Sequence, residues 1–241
     1  MRRLIAIAIF SATLSAQAAK SPIPIGDLDS VDRELASQIR MSAAAGKRDS
    51  EELLGELYMF GKAFPKDYPQ AELWLTRAAK QGSIKADTAL GILCDLQDPD
   101  HKDRTKAIEW YKKGAKHGDA RGMTLLGLAY ATGDGISRDP KAAFKLFQDA
   151  AKKENPFAEL LTGLFTAWGI AVPKDEAAAV RWYQKAADHD IPHAQYVLGA
   201  ALLFGRGTPT NTAAGSEWLA KAAEKGLGIA QGVLGELYEA G

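Results

Sequence analysis

A short stretch, Leu54-Gly55-Glu56-Leu57-Tyr58, returns down the chain with an unchanging step. Its echoes include Leu90-Gly91, Leu126-Gly127, Thr162-Gly163, Leu198-Gly199 and Leu234-Gly235, so the glycines at 55, 91, 127, 163, 199 and 235 stand 36 residues apart each time. A period of this size means that one supersecondary unit is copied along the chain, and that no copy can bury its apolar face without a neighbour. The unit itself is legible. From Glu51 to Gly61, Leu53, Leu54, Leu57 and Tyr58 fall at helical spacing. Gly61 ends that helix and Pro65 breaks the chain. A second helix beginning near Asp67 then carries Ala71, Trp74, Leu75, Ala78 and Ala79 to Gly82. Each unit is predicted to be a helical hairpin, and the whole an all-α, right-handed α/α superhelical solenoid of 36-residue hairpins.

The columns of the repeat carry the local detail. Trp110, Leu146, Trp182 and Trp218 continue Trp74, and Ala115, Ala151, Ala187 and Ala223 continue Ala79. Asp103, Asp139, Asp175 and Asn211 continue Asp67, where a short oxygen acceptor caps free backbone N–H groups. The glycine inside the first helix costs about 1 kcal/mol relative to alanine, so its return predicts a neighbouring helix too close for a side chain. The tryptophan column reads as core, which sets the expected cost of Trp110→Ala at roughly 3–5 kcal/mol.

Before the repeats, Arg2 and Arg3 precede an apolar run from Leu4 to Leu14 and the small-residue site Ala16-Gln17-Ala18. This is the layout of a cleavable secretory signal over residues 1–18, and the run is shorter than the roughly 20 residues of a membrane-spanning helix. Cleavage implies a periplasmic or secreted protein with no stable membrane insertion. Residues 19–30 read as a linker, 31–46 as an N-terminal half-repeat, 47–226 as five repeats and 227–241 as a C-terminal half-repeat. Lysine plus arginine and aspartate plus glutamate number 30 each, and loss of Arg2 and Arg3 leaves an excess of two acids. That balance offers nothing to nucleic acid. Cys94 is the single cysteine, so no intramolecular disulfide forms.

This alternation resembles the Sel1-like repeat family, a relative of the tetratricopeptide repeats. Its marks are Ala86, the Leu-Gly core, the turns Gly133-Asp134-Gly135 and Gly205-Arg206-Gly207, and the ending Trp182-Tyr183-Gln184-Lys185-Ala186-Ala187. The second unit departs from the pattern with Gln97-Asp98-Pro99 in place of the turn glycines, and a local irregularity is expected there. The resemblance implies a non-enzymatic adaptor that binds a protein or peptide on the concave face of the array. It also implies one alternative, an immunity or inhibitor protein for a periplasm-targeted toxin; an alternative of another class is a cell-wall-active or β-lactam-hydrolysing enzyme. The cysteine-rich relatives linked to β-lactams depend on regular cysteine pairs that this chain lacks.

Enzyme-like chemistry finds little purchase. His189 and His193 are four apart beside Asp188 and Asp190, but Pro192 puts them in a turn between repeats, read as a solvated loop. His101 with Asp98 and Asp100 is a similar case. Cys94 occupies a tyrosine column and reads as a small apolar residue. Glu51, Glu52 and Glu56 read as a solvated acidic face. No catalytic group, metal site or cofactor is predicted. In the tetratricopeptide hairpins, the first-helix positions outside the main stripe line the concave groove. The resemblance therefore assigns partner binding to Leu128, Leu160, Leu164, Trp168, Tyr196 and Phe204, with large apolar side chains toward the middle of the array and acids at its ends. The competing expectation is that neighbouring first helices bury these side chains.

Overall fold

The computed structural model describes residues 33–97 and 104–239. The expected signal segment and linker lie outside the described residues, as do His101, Asp98 and Asp100. Twelve helices make up the described residues, with no strand among them: α1 (Arg33–Ala44), α2 (Arg48–Phe60), α3 (Tyr68–Lys80), α4 (Ile84–Gln97), α5 (Thr105–Lys116), α6 (Ala120–Thr132), α7 (Pro140–Ala151), α8 (Pro156–Trp168), α9 (Glu176–Asp188), α10 (Pro192–Phe204), α11 (Thr212–Glu224) and α12 (Gly228–Glu239). The chain divides into two compact units, one running to Asp139 and the other from Pro140. In the first unit α2 packs on α3 and α4 on α5 as helical hairpins, and the same holds for α8 with α9 and α10 with α11 in the second.

Local chemistry sets the helix ends. Asp67, Asp175 and Asn211 each accept a hydrogen bond from a backbone N–H three residues on, at 3.0, 2.8 and 3.1 Å, as their column predicts. At the other end, α2, α6, α8 and α10 stop on Gly61, Gly133, Gly169 and Gly205, each in the left-handed conformation. Gln97 holds that position in the second unit, and α4 runs one residue further to include it. The closure there is electrostatic. Arg104 binds Asp95 through Nε at 3.1 Å and Nη2 at 2.6 Å, its Nη1 donates to Asp134, and Tyr111 donates to the same Asp95 at 2.7 Å. Burial works against the Arg104 charge, but Asp95 and Asp134 hold its pKa above the ordinary arginine value.

The recurrent glycine has a specific counterpart. A Cβ placed on Gly55 would lie 2.6 Å from the Leu75 side chain, on Gly91 2.5 Å from the Tyr111 ring, and on Gly163 2.7 Å from the Tyr183 ring. On Gly199 it would lie 2.9 Å from the Gly215 carbonyl oxygen, with Leu219 behind. The glycine is therefore the notch in the first helix that receives the large residue twenty positions later, from the second helix of the same hairpin. Those residues, Leu75, Tyr111, Tyr183 and Leu219, are buried.

The tryptophan column is displaced by one residue from this core. Trp74, Trp110, Trp182 and Trp218 are half-buried, and each carries a cation over its ring from three positions on: Arg77 at 4.7 Å, Lys113 at 4.7 Å, Lys185 at 4.9 Å and Lys221 at 4.1 Å. The expectation that Trp110 sits fully between helices is corrected, because on a helix only one of two adjacent residues can point down the contact, and here Tyr111 does.

Four substitutions can be measured by urea unfolding. Gly91→Ala should lose about 1–3 kcal/mol by overpacking the Tyr111 ring. Gly235→Ala, where no atom beyond the adjoining backbone of its own helix lies within 4 Å of the added carbon, should gain about 0.5–1 kcal/mol through helix propensity alone. Tyr111→Ala should cost about 3–5 kcal/mol, as full aromatic truncations do, and Trp110→Ala roughly half of that.

Candidate functional site

The first helices offer different faces in the two units. In the first unit the face is charged and largely self-satisfied. Glu51, expected to be solvated, is fully buried and is met by Arg77 Nε at 3.0 Å and Gln81 Nε2 at 2.5 Å. Glu56, also expected in solvent, is only 5 % exposed, with Arg121 Nη1 of α6 at 3.4 Å as its ionic partner. Glu52 is half-buried and accepts from the Ser83 hydroxyl. The solvated-face reading fails because neighbouring helices cover the N-terminal half of α2 and supply the countercharges.

Glu56 has a measurable electrostatic signature. Burial raises its pKa from 4.5 to about 7, opposed by Arg121 and Lys85 and assisted by Glu52 and Asp119. An acid whose pKa is raised in the folded state holds its proton more tightly there than when unfolded. Its contribution to stability is complete below about pH 4.5 and is lost as pH rises toward 7. Wild-type stability should fall by roughly 2–3 kcal/mol more than that of Glu56→Gln between pH 5 and pH 8, and parallel pH profiles of the two proteins would refute the assignment.

A column that sequence reasoning passed over organises these charges. Four residues before the repeat glycine stand Glu51, Asp87, Met123, Glu159, Gln195 and Gln231, and all but Met123 and Gln231 are buried. Asp87 meets Lys113 Nζ at 2.7 Å and His117 Nδ1 at 3.0 Å, while His189 Nε2 lies 3.7 Å from Glu159. Burial raises the Glu159 pKa. Where the column is neutral, Gln195 donates to Asp190 at 3.0 Å, and Asp190 pairs with Lys225 at 2.9 Å. The cations that stack on Trp74 and Trp110 are the ones that reach these acids, so each serves two partners. The signal was available in the sequence as an acid and a base 26 residues apart in the repeat register.

In the second unit the first-helix face is apolar. On α8 it presents Phe157, Leu160, Leu164 and Trp168, and on α10 His193, Tyr196, Ala200 and Phe204, with no ionisable acid or amine among them. The residues assigned to partner binding separate by depth. Leu160 and Leu164 are buried, since α8 is covered by both α7 and α9, and their side chains are not available to a partner in this conformation. Trp168 and Tyr196 are half-buried, and Tyr196 also packs on the cluster of Leu219, Ala222 and Ala230. Phe204 is 63 % exposed at the last position of α10. Leu128, on α6 of the first unit, is half-buried.

The histidine pair is split by the start of α10. His189 is exposed after α9, whereas His193 is buried in the first turn of α10, which lowers its pKa. His193 is therefore part of a helix and not of a solvated loop, because Pro192 starts the helix at N1 instead of breaking it. Cys94 is half-buried, and burial pushes its thiol pKa up, away from nucleophilic use. No cluster of three or more metal-ligating side chains occurs among the described residues.

The Sel1 repeat model matches residues 49–83, 90–119, 120–155, 156–191 and 192–227. A Sel1 repeat protein of Oxalobacter formigenes has a similar structure, with 30 % identity, a TM-score of 0.74, and 81 % of this chain and 80 % of that one covered. A Sel1 repeat protein of Klebsiella pneumoniae subsp. pneumoniae shares the fold at 24 % identity and TM-score 0.59, over 84 % of this chain and 99 % of its own. A Pseudomonas aeruginosa protein does so at 15 % identity and TM-score 0.55, over 79 % and 73 %. No curated protein matches the chain's sequence.

Proposed function

Because this chain belongs to the Sel1 repeat family, whose proteins generally mediate protein–protein interaction, we propose that it is a non-enzymatic adaptor, periplasmic or secreted after signal cleavage, that holds a protein or peptide on the first-helix face of its second unit. One observation carries the choice of face. The exposed Phe204 and half-buried Trp168 and Tyr196 stand on helix faces without charge, whereas the corresponding face of the first unit is occupied by its own ion pairs. Aromatic side chains that are part exposed and held by packing are the residues that dominate binding hot spots. Leu160 and Leu164 serve the surface from behind, by fixing α8 against its neighbours.

The location rests on the order of basic, apolar and small residues before Ala19. Partner capture by the full-length protein, compared among wild type, Trp168→Ala and Tyr196→Ala variants that keep their helical circular dichroism, tests the surface. A drop of about tenfold or more in the captured partner is expected for each, the scale of an aromatic hot-spot loss. Unchanged capture by both variants would remove this face as the docking site.

A further inference from the structure

The turn that follows α10 adds a charge to the apolar face, and the charge points to the partner's chemistry. Among the described residues of the second unit Phe204 is the most exposed large hydrophobic side chain, and the Arg206 guanidinium lies over its ring, 5.5 Å from the centroid. Arg206 is held in place by its backbone. Its N–H donates to the Ala201 carbonyl at 2.9 Å, and the next residue, Gly207, is in the left-handed region at φ 72°. A Cβ on Gly207 would fall 2.2 Å from the carbonyl carbon and oxygen of Glu176, so this turn is seated directly on the first turn of α9.

The carboxylates near this turn are already engaged. Glu176 pairs with Lys174 at 2.6 Å, which together with Arg206 keeps its pKa low, and Asp175 caps α9 through the Ala178 N–H at 2.8 Å. Between Gly205 and Asn211 the chain carries no charge other than Arg206. An incoming group at Phe204 therefore meets an apolar ring and an exposed guanidinium on a fixed backbone, a combination that accepts a carboxylate and repels an ammonium.

We infer that the Phe204 end of α10 takes a peptide segment in which an aromatic or aliphatic side chain is followed closely by an acidic residue, the first packing on Phe204 and the second pairing with Arg206. This rests on the reading of the first-helix face as the docking surface. It adds a charge requirement that the face alone does not impose.

The test uses the full chain and two fluorescein-labelled peptides, acetylated and amidated, that carry Leu-Phe-Glu-Glu or Leu-Phe-Lys-Lys in a glycine–serine background, with fluorescence anisotropy as the readout. The acidic peptide should bind at least about tenfold more tightly, on the scale of one charge-assisted hydrogen bond. Phe204→Ser should weaken it by a similar factor, and this exposed substitution leaves the fold intact. Arg206→Glu should invert the preference toward the lysine peptide. Equal affinity for both peptides, no binding of either, or a preference that survives Arg206→Glu overturns the charge requirement. The docking face itself is decided separately, by partner capture with Trp168→Ala and Tyr196→Ala.

Discussion

Everything in this fold depends on how closely two helices approach at one glycine. A hairpin of two short helices has too little apolar surface to hold itself together, so depth of contact has to substitute for length. At Gly55, Gly91, Gly163 and Gly199 the first helix gives up a side chain, and the second helix inserts a leucine or a tyrosine into the space. The helical cost of glycine is offset by burying a side chain worth about 1.5–3 kcal/mol at the point of contact. Because the pair recurs at a fixed offset, these four hairpins adopt the same approach.

The close approach also explains the buried charges. An acid four residues before the glycine lies on the flank of the first helix, where the C-terminal end of the second helix covers it. Glu51 and Asp87 are removed from water in this way, and the cations supplied by the second helix meet them at 3.0 and 2.7 Å. Such pairs contribute little net stability relative to an apolar replacement, but breaking one is costly. Met123 shows the apolar replacement within the same chain, and there the cation column holds Asp149, which pairs instead with Lys152 at 2.9 Å.

Much of this was legible in the sequence, and the limit has a physical origin. The period, the hairpins, the glycine ends and the caps at Asp67, Asp175 and Asn211 are properties of backbone geometry and spacing, which a sequence displays directly. Depth is different. Trp110 and Tyr111 are adjacent and both aromatic, and which one enters the core depends on the rotation of α5 against α4. Leu160 and Phe204 belong to one set of first-helix positions, yet one is fully buried and the other 63 % exposed, because α8 is covered along its length and the last turn of α10 is not. Glu56 misled for the same reason. A carboxylate written in a sequence carries no sign of the Arg121 side chain, 65 residues on, that reaches it from α6.

The caps of the first helices differ along the chain in a way that reaches beyond the helix ends. Asp119 caps α6 through the Gly122 N–H at 2.9 Å and at the same time accepts the Thr88 hydroxyl from α4 at 2.5 Å, while Ser83 bonds both Glu52 of α2 and the Ala86 N–H. In the second unit Asn155 caps α8 through the Ala158 N–H at 2.9 Å, whereas Ile191 starts α10 without a side-chain cap and Leu227 packs on the cluster of Leu219, Ala222 and Ala230. A directional bond shared between a cap and the preceding first helix makes the start of one helix a condition for the seating of another. Apolar contact imposes no such angle. At Ser83 and Asp119 the start of a first helix is thus tied to the seating of the one before it, whereas at Ile191 the start of α10 rests on packing, which sets its angle less sharply.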